Sequence, residues 1–183
     1  DYLEKIQSGL RDDPLILMPL LNDLRAARGE HLLSESVLVA PHLKTEVKVP
    51  VTRKDTGMDG QQLAKKLRHH FQLGLLGWYR NQDPTGSLKK LQMVLTQLEE
   101  GCDEEILVRI FWVASGLVEA LLDGGLTASV AMNKMLGQVD REVKRLIDEG
   151  EATLAESASP DLLTNLLYYI IRATSAGSRV LEI

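Results

Sequence analysis

The sequence is short of several things, and each shortage closes a class of explanation. One cysteine, Cys102, stands in 183 residues. No disulfide can form within the chain and no cysteine-built zinc site can be assembled. Cys102 has no basic neighbour in sequence to lower its pKa, so it reads as a small residue in an interhelical turn and not as a nucleophile. A reducing compartment, the cytoplasm, is expected. Aromatic residues make up only 4%, which leaves the core to Leu, Val, Ile and Ala. No apolar run approaches the roughly 18–20 residues that a membrane-spanning helix needs, and no basic-then-apolar signal peptide opens the chain. Insertion into a membrane is not expected. Positive charge is not in excess either. The 21 Lys and Arg against 26 Asp and Glu give a formal net charge of −5. That argues against nucleic acid as a partner, which requires a concentrated positive field.

Catalytic signatures are missing as well. There is no G-x-S-x-G, no Walker loop, no G-x-G-x-x-G after a strand and no H-E-x-x-H. Ser115-Gly116 lies inside an apolar run and reads as a close-packing point. Glu99-Glu100 and Glu104-Glu105 flank a turn and read as solvated helix ends. Of the four histidines, His31, His42, His69 and His70, the first two lie in an irregular stretch, and neither His69 nor His70, the one cluster, has a His, Cys, Asp or Glu at the i+3 or i+4 spacing that a helical metal site needs. No catalytic residue, metal or cofactor is expected, and the domain is read as non-enzymatic.

What is present is helical punctuation. Residues 1–8 look like the tail of a helix that starts upstream, with Tyr2, Leu3 and Ile6 at helical spacing, and the chain is expected to be cut from a longer protein. Asp12 or Asp13 with Pro14 starts a second helix along Leu15, Met18, Leu21 and Leu24. Pro19 inside this pattern predicts a kink or early break. Residues 30–58 contain Pro41 and Pro50 and read as a long extended strap. Asp59 starts a helix to about Asn81, and Asp83-Pro84 starts the next, which ends at Gly101. Asp103 is expected to cap a helix over Ile106–Leu122 that is apolar on most faces, the signature of a central helix. Thr127 or Ser129 caps another, with Asp140–Lys144 and Arg145–Glu149 spaced for ion pairs. Ser159-Pro160 starts the last, which runs to about Ala176-Gly177. These elements predict an all-α fold, an antiparallel bundle of five to six helices carrying one long extended strap. The domain reading is a helical segment and strap at 1–58 packing on a bundle at 59–177, with a linker at 178–183, the whole forming one domain.

Two constellations remain as candidate sites. His70-Phe-Gln-Leu-Gly74 is similar to the His-x-x-Lys-Gly element of histidine phosphotransfer domains. There the imidazole accepts phosphate, the lysine one turn on offsets its charge, and the glycine admits the partner. Here position 73 is Leu, so the charge-balancing group is missing. His70 therefore stands as a candidate phosphorylation site against the simpler reading of a half-buried helix residue. Trp78, Tyr79 and Arg80 form a candidate docking patch, since these residue types dominate binding hot spots; boundary packing is the plainer alternative. A small apolar ligand between the helices is a further possibility for which the Leu-rich core offers no polar anchor.

Several strings then carry a resemblance: Leu17-Met-Pro-Leu-Leu-Asn-Asp-Leu-Arg-Ala-Ala-Arg-Gly-Glu30, Leu33-Ser-Glu-Ser36 with Pro41, Arg80-Asn-Gln-Asp83 and Ala114-Ser-Gly-Leu-Val-Glu-Ala120. Together, over roughly residues 10–175, they resemble the N-terminal FimL-like region of ChpA/PilL-type hybrid histidine kinases. These are chemotaxis-like two-component proteins of the type IV pilus and twitching motility. The resemblance implies a degenerate, phosphotransfer-like (Hpt-like) helical module without its own catalysis, acting as a scaffold within a phosphorelay. The partners it implies are proteins: neighbouring phosphotransfer domains, response regulators or polar pilus scaffold proteins. It leaves open whether the parent is the kinase or a kinase-free scaffold. It transfers no catalytic residue, because no position matches the phosphorylation motif. An active phosphotransfer domain using His70 is the competing expectation.

Overall fold

The computed structural model describes residues 17–30, 33, 57–158, 160–174 and 177–183. The tail at 1–8, the Asp12/Asp13 start and nearly all of the expected strap lie outside the described residues. The chain divides into two compact units, Asp1–Lys44 and Thr45–Ile183.

In the first unit, α1 spans Met18–Ala27, with Leu17 as its N-cap and Pro19 in its first turn. Pro19 is thus a helix starter and not a kink, because a missing N–H and a fixed φ cost nothing at that position. Arg25 and Arg28 close on Glu30 at 3.0 and 2.9 Å. The Asn22 side chain clasps the peptide of Leu33 from both sides. Its Oδ1 accepts from the Leu33 N–H at 2.7 Å, and its Nδ2 donates to the Leu33 carbonyl at 3.2 Å.

In the second unit, seven helices are found among the described residues: α2 Gly60–Tyr79, α3 Pro84–Gly101, α4 Glu105–Leu122, α5 Val130–Glu149, α6 Glu151–Ser157, α7 Pro160–Ile171 and α8 Ser178–Glu182. All described elements of the chain are helical, as the punctuation predicts. Asp59 caps α2 by accepting the Gln62 N–H at 2.7 Å. Asp83 caps α3 through the Gly86 N–H at 2.9 Å, and Ser129 caps α5 through the Met132 N–H at 3.3 Å. Each satisfies a donor that a helix start leaves orphaned.

Helix α2 packs between α3 and α5, α3 meets α4, α4 meets α7, and α7 returns to α5, so the helices close on one another around a common core. Paired contacts give the directions. Gly60 approaches Cys102 at one end of the α2–α3 pair, and Gly77 approaches Ser87 at the other. Gln61 donates to the Ile147 carbonyl at 2.9 Å, Arg68 faces Asp140 at 3.7 Å, and Trp78 reaches Asn133, so α2 and α5 also run antiparallel. Helix α4 is buried on nearly every face from Leu107 to Leu121, including Trp112. It can be apolar all round because α3, α7 and α8 cover most of its circumference.

Four local expectations change. Asp103 does not cap α4; Glu104 occupies the N-cap without a side-chain bond, and the capping carboxylate comes from Glu151 on another element. Asp140 pairs with Arg68 across the interface and Lys144 with Asp148 at 4.0 Å, whereas Arg145–Glu149 forms at 2.9 Å. The last long helix stops at Ile171, and a short helix, α6, precedes it. Gly150 at φ +82° breaks α5 from α6 in a conformation that side-chain-bearing residues rarely adopt. Finally, residues 178–182, read as linker, form α8. Glu119 caps it, accepting from the Arg179 and Val180 N–H groups at 3.0 and 3.2 Å. Arg179 also pairs with buried Glu99, and the end of Ile183 lies over Gly116.

Candidate interaction surface

The two candidate sites fall on one helix, α2, so its faces decide what each can do. One face turns inward through Leu63, Leu67, Phe71 and Leu75. His69 and His70 are both exposed. His70 is therefore not the half-buried residue of the plainer reading. Solvent reaches it, as phosphotransfer would require. The rest of the motif behaves differently. Leu73 is 44% exposed and brings no charge to the position where a lysine would sit. Gly74 is buried against α3: a Cβ there would come within 2.9 Å of Leu91 Cδ2 and 3.2 Å of the Ser87 carbonyl oxygen. Its smallness serves helix–helix contact and not the approach of a partner. Lys66, exposed and one turn before His70, is the nearest basic residue on that edge of the helix.

Trp78, Tyr79 and Arg80 sit at the C-terminal end of α2. The Trp78 indole N–H donates to Asn133 Oδ1 at 2.8 Å, and the Tyr79 hydroxyl donates to the Asn133 carbonyl at 2.9 Å. Both rings therefore join α2 to the first turn of α5. Burial and the Asp140 carboxylate push the Tyr79 phenol above its ordinary pKa, so it remains a donor. Tyr79 is still 45% exposed and Arg80 is exposed. The patch is thus partly spent on the fold and partly presented outward.

Away from α2, the charged groups serve the architecture. Glu151 at the start of α6 accepts from the backbone N–H groups of Asp103 and, at 2.8 Å, of Glu104. It supplies α4 with the cap that its own sequence lacks. Burial raises the Glu151 carboxyl above its usual range, with the Glu104 backbone bond opposing. Cys102 is buried beside it, and burial together with the Glu151 charge pushes the thiol far above its ordinary value. That is the opposite of a reactive cysteine. Glu104, Glu105, Arg109 and Glu156 line a shallow open depression in which Arg109 already pairs with Glu105. Among the described residues no group of His, Cys, Asp and Glu could hold a metal ion, and no helix is long and apolar enough to cross a membrane.

Leu76 and Met93, which no motif singles out, are 43% and 46% exposed. Their signal was present as apolar residues out of phase with the buried stripe of each helix.

Comparison with known proteins places this architecture. The model of the FimL scaffold protein second domain matches residues 57–183, which takes in every described residue of the second unit. Scaffold protein FimL of Pseudomonas aeruginosa is 29% identical over 185 residues, covering 100% of this chain and 32% of that protein. The chain therefore spans about a third of the length of the curated relative it matches. No solved structure matches it.

Proposed function

The chain belongs to the family of the FimL scaffold protein second domain, and from that premise we propose that it is a non-catalytic interaction module of type IV pilus signalling. It is a phosphotransfer-like bundle that holds partner proteins and passes no phosphate. Its parent is either a chemotaxis-like hybrid histidine kinase or a scaffold without a kinase core. The observation that carries the reading is the surroundings of His70. The position one turn on is an exposed leucine, Leu73, and the following glycine is packed against Leu91. A phosphoryl group on this imidazole would add nearly two negative charges with no lysine at the customary position to offset them. An exposed apolar side chain at that spot serves a protein contact better. Of the end-of-helix patch, Tyr79 and Arg80 are exposed and extend the docking face, while Trp78 is held by Asn133.

The test is a pull-down of pilus signalling components with the full chain, together with deletion of the module from its parent. Capture of at least one component and loss of twitching are expected. No capture and unchanged pilus output would end the proposal. The exposure of His70, with Lys66 one turn before it, favours a second reading, an active phosphotransfer site. That reading requires label to move from a phosphorylated receiver onto the chain and to vanish in His70→Gln. We expect no label in either.

A further inference from the structure

Charge is segregated in this chain, and the basic segment also carries four exposed apolar or aromatic residues, Leu73, Leu76, Tyr79 and Met93. The protein is acidic overall, yet between Gly60 and Leu98 the lone carboxylate is Asp83, while Lys65, Lys66, Arg68, Arg80, Lys89 and Lys90 all lie there. Asp83 is occupied in capping α3, and Arg68 faces Asp140. The other five cations are exposed. The α2–α3 hairpin is thus a basic element in an acidic molecule.

On α2 the outward residues follow a pattern. Lys66, His69, Leu73, Leu76 and Arg80 are separated by three, four, three and four positions, and all are exposed. That is the spacing by which one helix presents a seam to another. The seam lies opposite the face that Leu67 and Phe71 bury in the core. Its centre is the leucine pair and its ends are cationic, over about 21 Å at 1.5 Å per residue. On the neighbouring helix, Met93 is exposed beside Lys89 and Lys90.

We propose that this hairpin face is the docking surface for an amphipathic helix of a partner protein, one that carries two central apolar residues flanked by carboxylates. Resting on the scaffold reading, it names the chemistry of the partner that reading leaves unspecified. The seam spacing selects a helix as the partner's form. The cations at both ends select acidic flanks and disfavour a basic partner. A bilayer surface is a poorer match, because interfacial binding draws on a broad apolar face and α2 presents two leucines between charges.

The experiment is a selection from a displayed library of helical peptides, randomised among Leu, Ala, Glu and Lys at seam and flanking positions, against the full chain. Enriched peptides should carry an apolar pair with Glu on both sides. Their affinity should fall with added salt, and by about tenfold or more in Leu73→Gln/Leu76→Gln and in Lys66→Glu/Arg80→Glu. Circular dichroism of both variants should match the wild type, since every substituted side chain is exposed. Failure to enrich peptides, enrichment without acidic flanks, or binding that neither variant weakens would overturn the proposal. So would anionic vesicles binding in place of peptides, or sedimentation showing that a second copy of this chain occupies the face. Normal twitching in the charge-reversed variant, with twitching lost on deletion of the whole module, would remove this surface and leave the scaffold role standing.

Discussion

Replacing Gly74 with alanine pits two opposed effects against each other, and the structure decides between them. In an isolated helix the change is favourable by about 1 kcal/mol, because alanine loses less backbone entropy than glycine. In the bundle, the new methyl would lie 2.9 Å from Leu91 Cδ2, 3.0 Å from Leu91 Cγ and 3.2 Å from the Ser87 carbonyl oxygen. Carbon atoms rest about 3.5–4.0 Å apart, so α2 and α3 must separate or Leu91 must leave its rotamer. Leu91 is fully buried, and the Ser87 carbonyl is backbone, so neither yields cheaply. Overpacking of this kind costs about 1–3 kcal/mol. The net expectation is a loss of about 1 kcal/mol, read as a melting temperature lower by about 2–4 °C in a chain of this size. Gly77 is the internal control. Its added methyl would meet the Ser87 hydroxyl, a group that can rotate, while the Ser87 Cβ stays at an ordinary 3.4 Å. Gly77→Ala should therefore be neutral or stabilising by up to about 1 kcal/mol. Adding Leu91→Ala to Gly74→Ala should recover the clash energy as non-additivity in a double-mutant cycle. Urea titrations followed by circular dichroism measure all of these. A Gly74→Ala variant as stable as the wild type would refute the close contact, and with it the assignment of Gly74 to helix packing.

Three other perturbations test the architecture. Glu151→Ala should cost about 1 kcal/mol by uncapping α4, while Glu151→Gln keeps an acceptor and should cost less; equal losses in urea titrations would contradict the cap. Burial raises the Glu99 carboxyl above its ordinary 4.5, with Arg179 only partly opposing. A raised folded pKa means that this group's contribution is fully present below that ordinary value and is lost as pH rises through the folded pKa. As pH rises above the ordinary carboxylate value, wild-type stability should therefore fall relative to Glu99→Gln; a rising difference would reverse the sign and exclude desolvation as the cause. Cys102 should react with a thiol reagent only as fast as the bundle opens, and at full speed in denaturant; rapid labelling of the native chain would show that the α3–α4 turn is not sealed.

Much of the candidate surface is legible in the sequence, though not its meaning. The residues His70, Trp78, Tyr79 and Arg80 were picked out by type, and all four proved to lie on α2 or at its end. What the string could not reveal was direction. Whether Trp78 faces a partner or Asn133 depends on a residue 55 positions away. Whether Gly74 admits a receiver or Leu91 depends on how closely α3 approaches. The basic character of the hairpin was in the sequence too, hidden by a net charge that averages over the whole chain.

The starts of the long helices are written locally, because capping and periodicity need only near neighbours. Asp59, Asp83-Pro84 and Ser129 each start a helix where they stand, and the all-round apolarity of Glu105–Leu122 marks it as central wherever it packs. Features that need a distant partner follow from the packing of the helices. Helix α4 has no cap of its own and borrows Glu151. Residues 178–182 are too few to be helical alone, since helix nucleation is costly; they become α8 because Glu119 satisfies their first N–H groups and Glu99 holds Arg179. Which cations of the hairpin remain unpaired among the described residues was also a tertiary outcome, as Arg68 meets Asp140 of a distant helix while Lys66 and Arg80 stay exposed.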